Sequence, residues 1–259
     1  MVYSHLVTFA MLAATLPILT PFLSLSVIPI LVLGVMGALN FLAFIFLYRA
    51  FHHGVVSVVA PIAYTYPVVT AVLSVVILGA VLSLVQALAI TAVIAGVVLL
   101  STRFSELRSA GGGIPARLTA GVGSAVGASL FFGVVYIGVG YATPLLGFVL
   151  PAVLLRGIGS GIGFAAAPAL REKVFPSRLS LSSTILAMGI LETIGFLSFS
   201  YGISVDQGSL PIIAAISGMG GAVAVGYAMY FLRDRLEPNQ LLGMFLSFAG
   251  VFALLYLGG

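Results

Sequence analysis

Cysteine is absent from this 259-residue chain, which excludes disulfides, thiol catalysis and zinc–thiolate sites. Charge is nearly as scarce: 6% of residues are Asp, Glu, Lys or Arg, against about 25% in soluble domains. So few charges cannot cover the surface of a water-soluble fold. With 61% hydrophobic residues and a mean hydropathy of +1.28, the solvent must largely be lipid. The chain reads as a polytopic membrane protein. MVYSH lacks a basic n-region, so the first apolar run is expected to begin the bundle rather than to be a cleaved signal. The net charge of +4 does not indicate nucleic acid, because the bases sit in short breaks between apolar runs.

What the chain does have is continuous apolar runs of about twenty residues, the length at which a helix crosses a bilayer. A β-barrel would instead show about ten-residue segments alternating apolar and polar. Thirty-one glycines suit helices that approach closely in lipid. The expected fold is all-α, with spans at roughly 5–25, 28–49, 54–79, 83–101, 118–141, 144–168, 180–203, 209–232 and 239–257. Pro17 and Pro21 make the first the weakest. RFSELRSAGGGIPAR, at 102–116, reads as a flexible linker between two halves.

The bases alternate cleanly with the spans. Arg49, then Arg103, Arg108 and Arg117, then Arg171, Lys173 and Arg178, then Arg233 and Arg235 all fall on the side of the N-terminus. The positive-inside rule makes that side cytoplasmic, with the C-terminus outside. Only Arg156 falls inside a span.

The chain also repeats itself. Residues 78–100 align without a gap on a segment beginning at Leu232. Gln86 then pairs with Gln240 and Ala95-Gly96-Val97 with Ala249-Gly250-Val251, and the same offset of 154 places Gly54 opposite Gly208. Such duplications are a common plan for transporters, with the substrate site near the midplane between repeats.

These residues resemble the drug/metabolite transporter superfamily, in its EamA-type branch. The matching positions are Leu78, Gly79, Leu82, Gln86, Gly96 and Val97 in the first copy. In the second they are Leu232, Arg235, Leu236, Gln240, Gly250 and Val251. PVVTAVLSVVILG (67–79) and VLLRG around Arg156 add to the resemblance. A glutamate of the family pattern is Ala80 in one copy and Asp234 in the other. The resemblance implies two inverted repeats of five helices. Here it implies four helices in 1–101, a linker at 102–117 and five helices in 118–259, with the first of the usual ten absent. It also implies both termini in the cytoplasm, which the charge pattern of nine spans contradicts. Its implied activity is export of amino acids or related metabolites and drugs across the cell membrane by alternating access.

Within the spans the candidate site residues are few. Glu192 interrupts GILETIGFL, the one acidic residue of six inside an apolar run. Arg156 and Glu192 lie almost equally far from the loop REKVFPSR, so antiparallel helices set them at similar depth. Whether they face each other is not legible. The pair reads either as a structural ion pair or as a site where Glu192 exchanges a proton or Arg156 grips a substrate carboxylate. Asn40 is a helix-bridging amide or a substrate contact. Tyr64 and Tyr66 lie beside Pro61 and Pro67, and Ser217 lies in a glycine-rich helix; each is a pathway candidate against a packing role. GIGSGIG (157–163) reads as a close-packing face. His5 says little, and His52 and His53 read as interfacial.

A membrane enzyme would need a nucleophile with its base, a carboxylate pair or a metal cluster, and none appears. No cofactor or metal is expected. The expected partners are lipid and a small-molecule substrate such as an amino acid or organic ion, with or without proton coupling. The oligomeric state is open between monomer and homodimer. The rival reading is a membrane protein with a structural or partner-binding role, or an inactive fragment.

Overall fold

Backbone polar groups find no water in hydrocarbon, so apolar runs close their hydrogen bonds internally as helices. A computed structural model describes residues 2–19, 26–54, 59, 62–102, 104–109, 120–166, 180–219 and 237–257. Among them every regular element is helical. The α-helices are α1 (Val2–Leu19), α2 (Val27–His53), α3 (Tyr66–Leu78), α4 (Leu84–Ser101) and α5 (Phe104–Ser109). They continue as α6 (Val122–Leu146), α7 (Leu150–Ala166), α8 (Ser180–Val205), α9 (Leu210–Ser217) and α10 (Pro238–Leu257). Among the described residues each expected span holds at least one apolar helix, and α5 lies in the stretch read as a linker.

Among the described residues three helical stretches are long and apolar enough to cross a membrane alone: α2, α6 and Ile185–Val205 of α8. The remaining apolar helices are shorter among the described residues. Large apolar side chains point outward, with Leu31 65% exposed and Leu191 and Phe245 each 69%. Only lipid covers such surfaces without the penalty of hydrating them. The protein is a multi-pass, all-helical membrane protein.

Prolines explain where the expected spans shift. The sequence places Pro144 at the opening of the sixth span, yet it sits inside the last turn of α6, and the turn comes at Gly147 with φ +79°. A proline cannot donate to the carbonyl four residues back. That carbonyl, Gly140 O, accepts instead from Gln207 Nε2 at 3.2 Å. Similarly, the expected span 54–79 is broken at Tyr64–Thr65, and Pro67 sits in the first turn of α3. There a missing N–H costs nothing.

The chain forms two compact units that interleave its halves. The first comprises Met1–Leu42 and Val135–Gln207; the second comprises Ala43–Val134 and Gly208–Gly259. In the first, α1 packs on α7 and α8, and α7 on α8. Glycines set the spacing: a Cβ at Gly157 would lie 2.8 Å from the Phe9 ring, and one at Gly189 would lie 2.9 Å from Val7 Cβ. Gly161 faces open space, so only part of GIGSGIG is a packing face.

In the second unit α4 and α10 form a long seam around Ala89, Ile90, Val93, Val97, Ala215 and Leu254. Its contacts are exchanged in pairs. Gly96 abuts Gly243 and Ser247, while Gly250 abuts Ala89 and Val93. Subtracting the repeat offset of 154 from 243, 247 and 250 returns 89, 93 and 96. Reciprocal contacts of this kind are what a two-fold relation between equivalent surfaces produces.

The shared glutamine serves both helix starts. Gln86 Oε1 accepts from Ser83 N–H at 2.9 Å, completing a capping box, and Gln240 Oε1 accepts from Glu237 N–H at 3.0 Å. Gln240 is also buried and donates from Nε2 to Leu100 O at 2.9 Å across the seam. Gln240→Ala is therefore expected to cost about 1–3 kcal/mol, because a buried carbonyl loses its donor. Gln86→Ala, at an exposed cap, should cost about 0.5–1 kcal/mol. Melting of the two variants in the same lipid nanodiscs checks the order.

Candidate functional site

A polar cluster lies within the first unit, assembled from four helices. Arg156 on α7 is buried, and its guanidinium needs a counter-charge, since an unpaired buried ion is very costly. Its Nη2 lies 2.5 Å from Oε1 of Glu192 on α8. Glu192 Oε2 accepts from Thr8 Oγ1 on α1 at 2.8 Å. Arg156 Nη1 meets His5 Nε2 at 3.2 Å and donates to Asn40 Oδ1 on α2 at 3.4 Å. The Phe196 ring, one turn after Glu192, lies 4.7 Å from Arg156 Cζ and completes a cation–π contact.

The geometry assigns a state to His5. A guanidinium can only donate, so His5 Nε2 must accept, and the imidazole is the neutral Nδ1–H tautomer. Its 3.8 Å approach to Glu192 Oε1 is therefore not an ion pair. Among the described residues the cluster then holds one cation and one anion, Arg156 and Glu192.

The cluster has a closed and an open side. His5, Thr8, Asn40 and Arg156 are all buried, each less than 5% exposed. The Glu192 side chain keeps 23% of its surface accessible. Ser160, one turn after Arg156 and on the same face of α7, is buried with a hydroxyl that has no hydrogen-bond partner among the described residues.

Sequence reading singles out Arg156, Glu192 and Asn40, and the structure brings them together. It misses His5, Thr8 and Phe196. The available signal is the spacing of His5 and Thr8: three residues apart in an apolar run, they share one helix face.

Tyr64, Tyr66 and Ser217 belong to the second unit. Tyr66 Oη and Ser217 Oγ are hydrogen-bonded at 3.0 Å, and Tyr64 packs against the apolar cluster of the α4–α10 seam. A cleft of about 560 Å3 in this unit is lined by Phe104, Ser105, Arg108, Glu237, Pro238 and Asn239. Its polar groups largely serve one another: Glu237 accepts from the backbone and side chain of Ser105.

Residues 2–102 match the EamA-like transporter family. That segment is thus EamA-like, in agreement with the resemblance seen in the sequence motifs. No curated protein matches the chain. Fifteen solved chains do. One, a crystal structure of a protein, aligns over 99% of this chain and 87% of its own length, with a TM-score of 0.78 and 16% identity. At that identity the likeness shows the fold alone.

Proposed function

We propose that the protein is a non-enzymatic transporter of small metabolites, residing in the cell membrane and working by alternating access between two inverted repeats, 1–101 and 118–259. The observation that carries the proposal is the Arg156–Glu192 pair inside an otherwise apolar helix set whose first part is EamA-like. Ionisable groups at membrane depth are expensive and mark pathways for substrates, ions or protons. In this reading Arg156, Glu192 and Asn40 form the substrate or coupling site. Tyr64, Tyr66 and Ser217 contribute to the pathway or its packing. The substrate is an amino acid, a related metabolite or an organic ion, with Glu192 as the group available for proton coupling.

The test is a melting screen of the purified protein against amino acids, sugars, nucleosides, organic anions and cationic drugs, followed by uptake into proteoliposomes. A ligand of the folded state at a hundred times its Kd adds about 2.7 kcal/mol of stability. A solute that both stabilises and is transported supports the proposal. If no class does either, the pair is a fastener between helices and the transport reading falls.

A further inference from the structure

We infer that the cleft where α4, α5 and α10 meet binds the phosphate headgroup of an anionic phospholipid, and that Arg108 is the group that grips it. The site belongs to the second unit, apart from the Arg156 cluster, and does not depend on what the protein transports.

An unmatched cation in a formed cleft is the first observation. The cleft has a volume of about 560 Å3, within the range of about 300–1,000 Å3 found for small-molecule sites. Most polar groups of its lining are engaged. Ser105 donates to the Glu237 carboxylate from its backbone N–H, at 3.0 Å, and from its hydroxyl. Asn239 Nδ2 donates to Leu99 O at 3.0 Å and to Thr102 O at 2.8 Å, which ties the start of α10 to the end of α4. Arg108 is the exception. Its side chain is exposed in the last turn of α5 and has no hydrogen-bond or ion-pair partner among the described residues. Glu237 takes Ser105 as a donor, not Arg108. A planar fork of five N–H donors therefore borders the cleft unused, and phosphate is an anion that such a fork binds with two parallel hydrogen bonds.

Location decides which phosphate. The apolar helices α4 and α10 run for 18 and 20 residues, and the cleft sits where the one ends and the other begins. That is the depth at which hydrocarbon gives way to headgroups. In sequence, the two breaks that supply its walls carry Arg103, Arg108, Arg117, Arg233 and Arg235, five of the ten bases of the chain. Bases gathered immediately beside a span concentrate anionic lipid at the surface. The short α5 has the pattern of an interfacial anchor. Phe104 and Arg108, four residues apart, share one face, and both line the cleft. The Phe104 ring is 45% exposed and offers apolar surface to the glycerol and the first acyl carbons while the guanidinium meets the phosphate. Free phosphate gains nothing from that ring. A choline headgroup brings a cation beside Arg108 and has no N–H to give Glu237. An anionic headgroup such as phosphoglycerol fits both groups.

Dioleoyl phosphatidylglycerol is the probe. Titrated into the full-length protein in a neutral detergent, it should raise Tm by about 3 °C at ten times its Kd. Dioleoyl phosphatidylcholine should give no comparable rise. Added salt should shrink the effect, because exposed charges are screened. Arg108→Gln removes an exposed side chain that makes no hydrogen bond, so the lipid-free Tm should stay as it is. The same variant should bind phosphatidylglycerol about tenfold more weakly. Arg49→Gln removes another exposed base, one that does not line the cleft, and should bind as the unaltered protein does. An equal loss in Arg49→Gln, or no loss in Arg108→Gln, means attraction to overall charge and overturns the site. Inorganic phosphate that gives the same Arg108-dependent rise overturns the lipid assignment, as does an equal rise with phosphatidylcholine. The transport reading is tested separately by the solute screen, and none of these outcomes decides it.

Discussion

Glu192→Gln is expected to destabilise the protein by about 3–5 kcal/mol, because it takes from the buried Arg156 guanidinium the carboxylate that lies 2.5 Å from Nη2. Arg156→Gln should cost less, towards the lower end of that range. The carboxylate it strands keeps 23% of its surface accessible and retains the Thr8 hydroxyl as donor. The double variant should recover most of either loss, since two neutral amides carry no ionic desolvation cost. A double-mutant cycle by reversible denaturation in a single detergent then returns a coupling of several kcal/mol between the two sites. Additive single effects would show that the contact contributes nothing of its own.

The second large effect is expected at the α4–α10 seam. A Cβ at Gly96 would stand 2.6 Å from Gly243 O, and one at Gly250 would stand 2.8 Å from Ala89 O. Both obstacles are backbone atoms of the facing helix, so neither can rotate away. Gly96→Val and Gly250→Val should each cost about 3 kcal/mol, at the upper end for overpacking, and Gly→Ala about 1–2 kcal/mol. Gly34 and Gly161, where an added methyl would meet nothing within 4 Å, are the contrast: alanine there should be neutral or stabilising by up to about 1 kcal/mol. Melting of the four alanine variants decides it. Equal losses at all four would mean that helix propensity, and not the seam, governs the result.

How much of this was legible in sequence differs by element. The continuous apolar runs gave away the apolar helices, because in lipid a run of that composition has no other way to satisfy its backbone; α5 lies in the stretch read as a linker. The prolines were harder. Pro144 looked like a boundary, but its orphaned carbonyl is rescued by Gln207, 63 residues later along the chain, and no local pattern announces such a donor. The common depth of Arg156 and Glu192 could be counted from the loop between them. His5 could not be joined to them, since it lies 151 residues from Arg156 in the chain.

The composition and run lengths by themselves determined the solvent, the helical class and the presence of two charges that lipid would not tolerate apart. The repeat offset of 154 residues also determined which surfaces would prove equivalent along α4 and α10. Only tertiary structure decided the rotation of each helix about its axis. That rotation turns Thr8, Asn40, Arg156 and Glu192 onto one another and leaves Leu191, next to Glu192, facing lipid. Tertiary structure also decided that the compact units would cross the halves of the chain. The physical reason is the same in both cases. Hydropathy measures the cost of leaving water and is summed along a segment. Facing and pairing depend on where residues distant in sequence place their polar atoms.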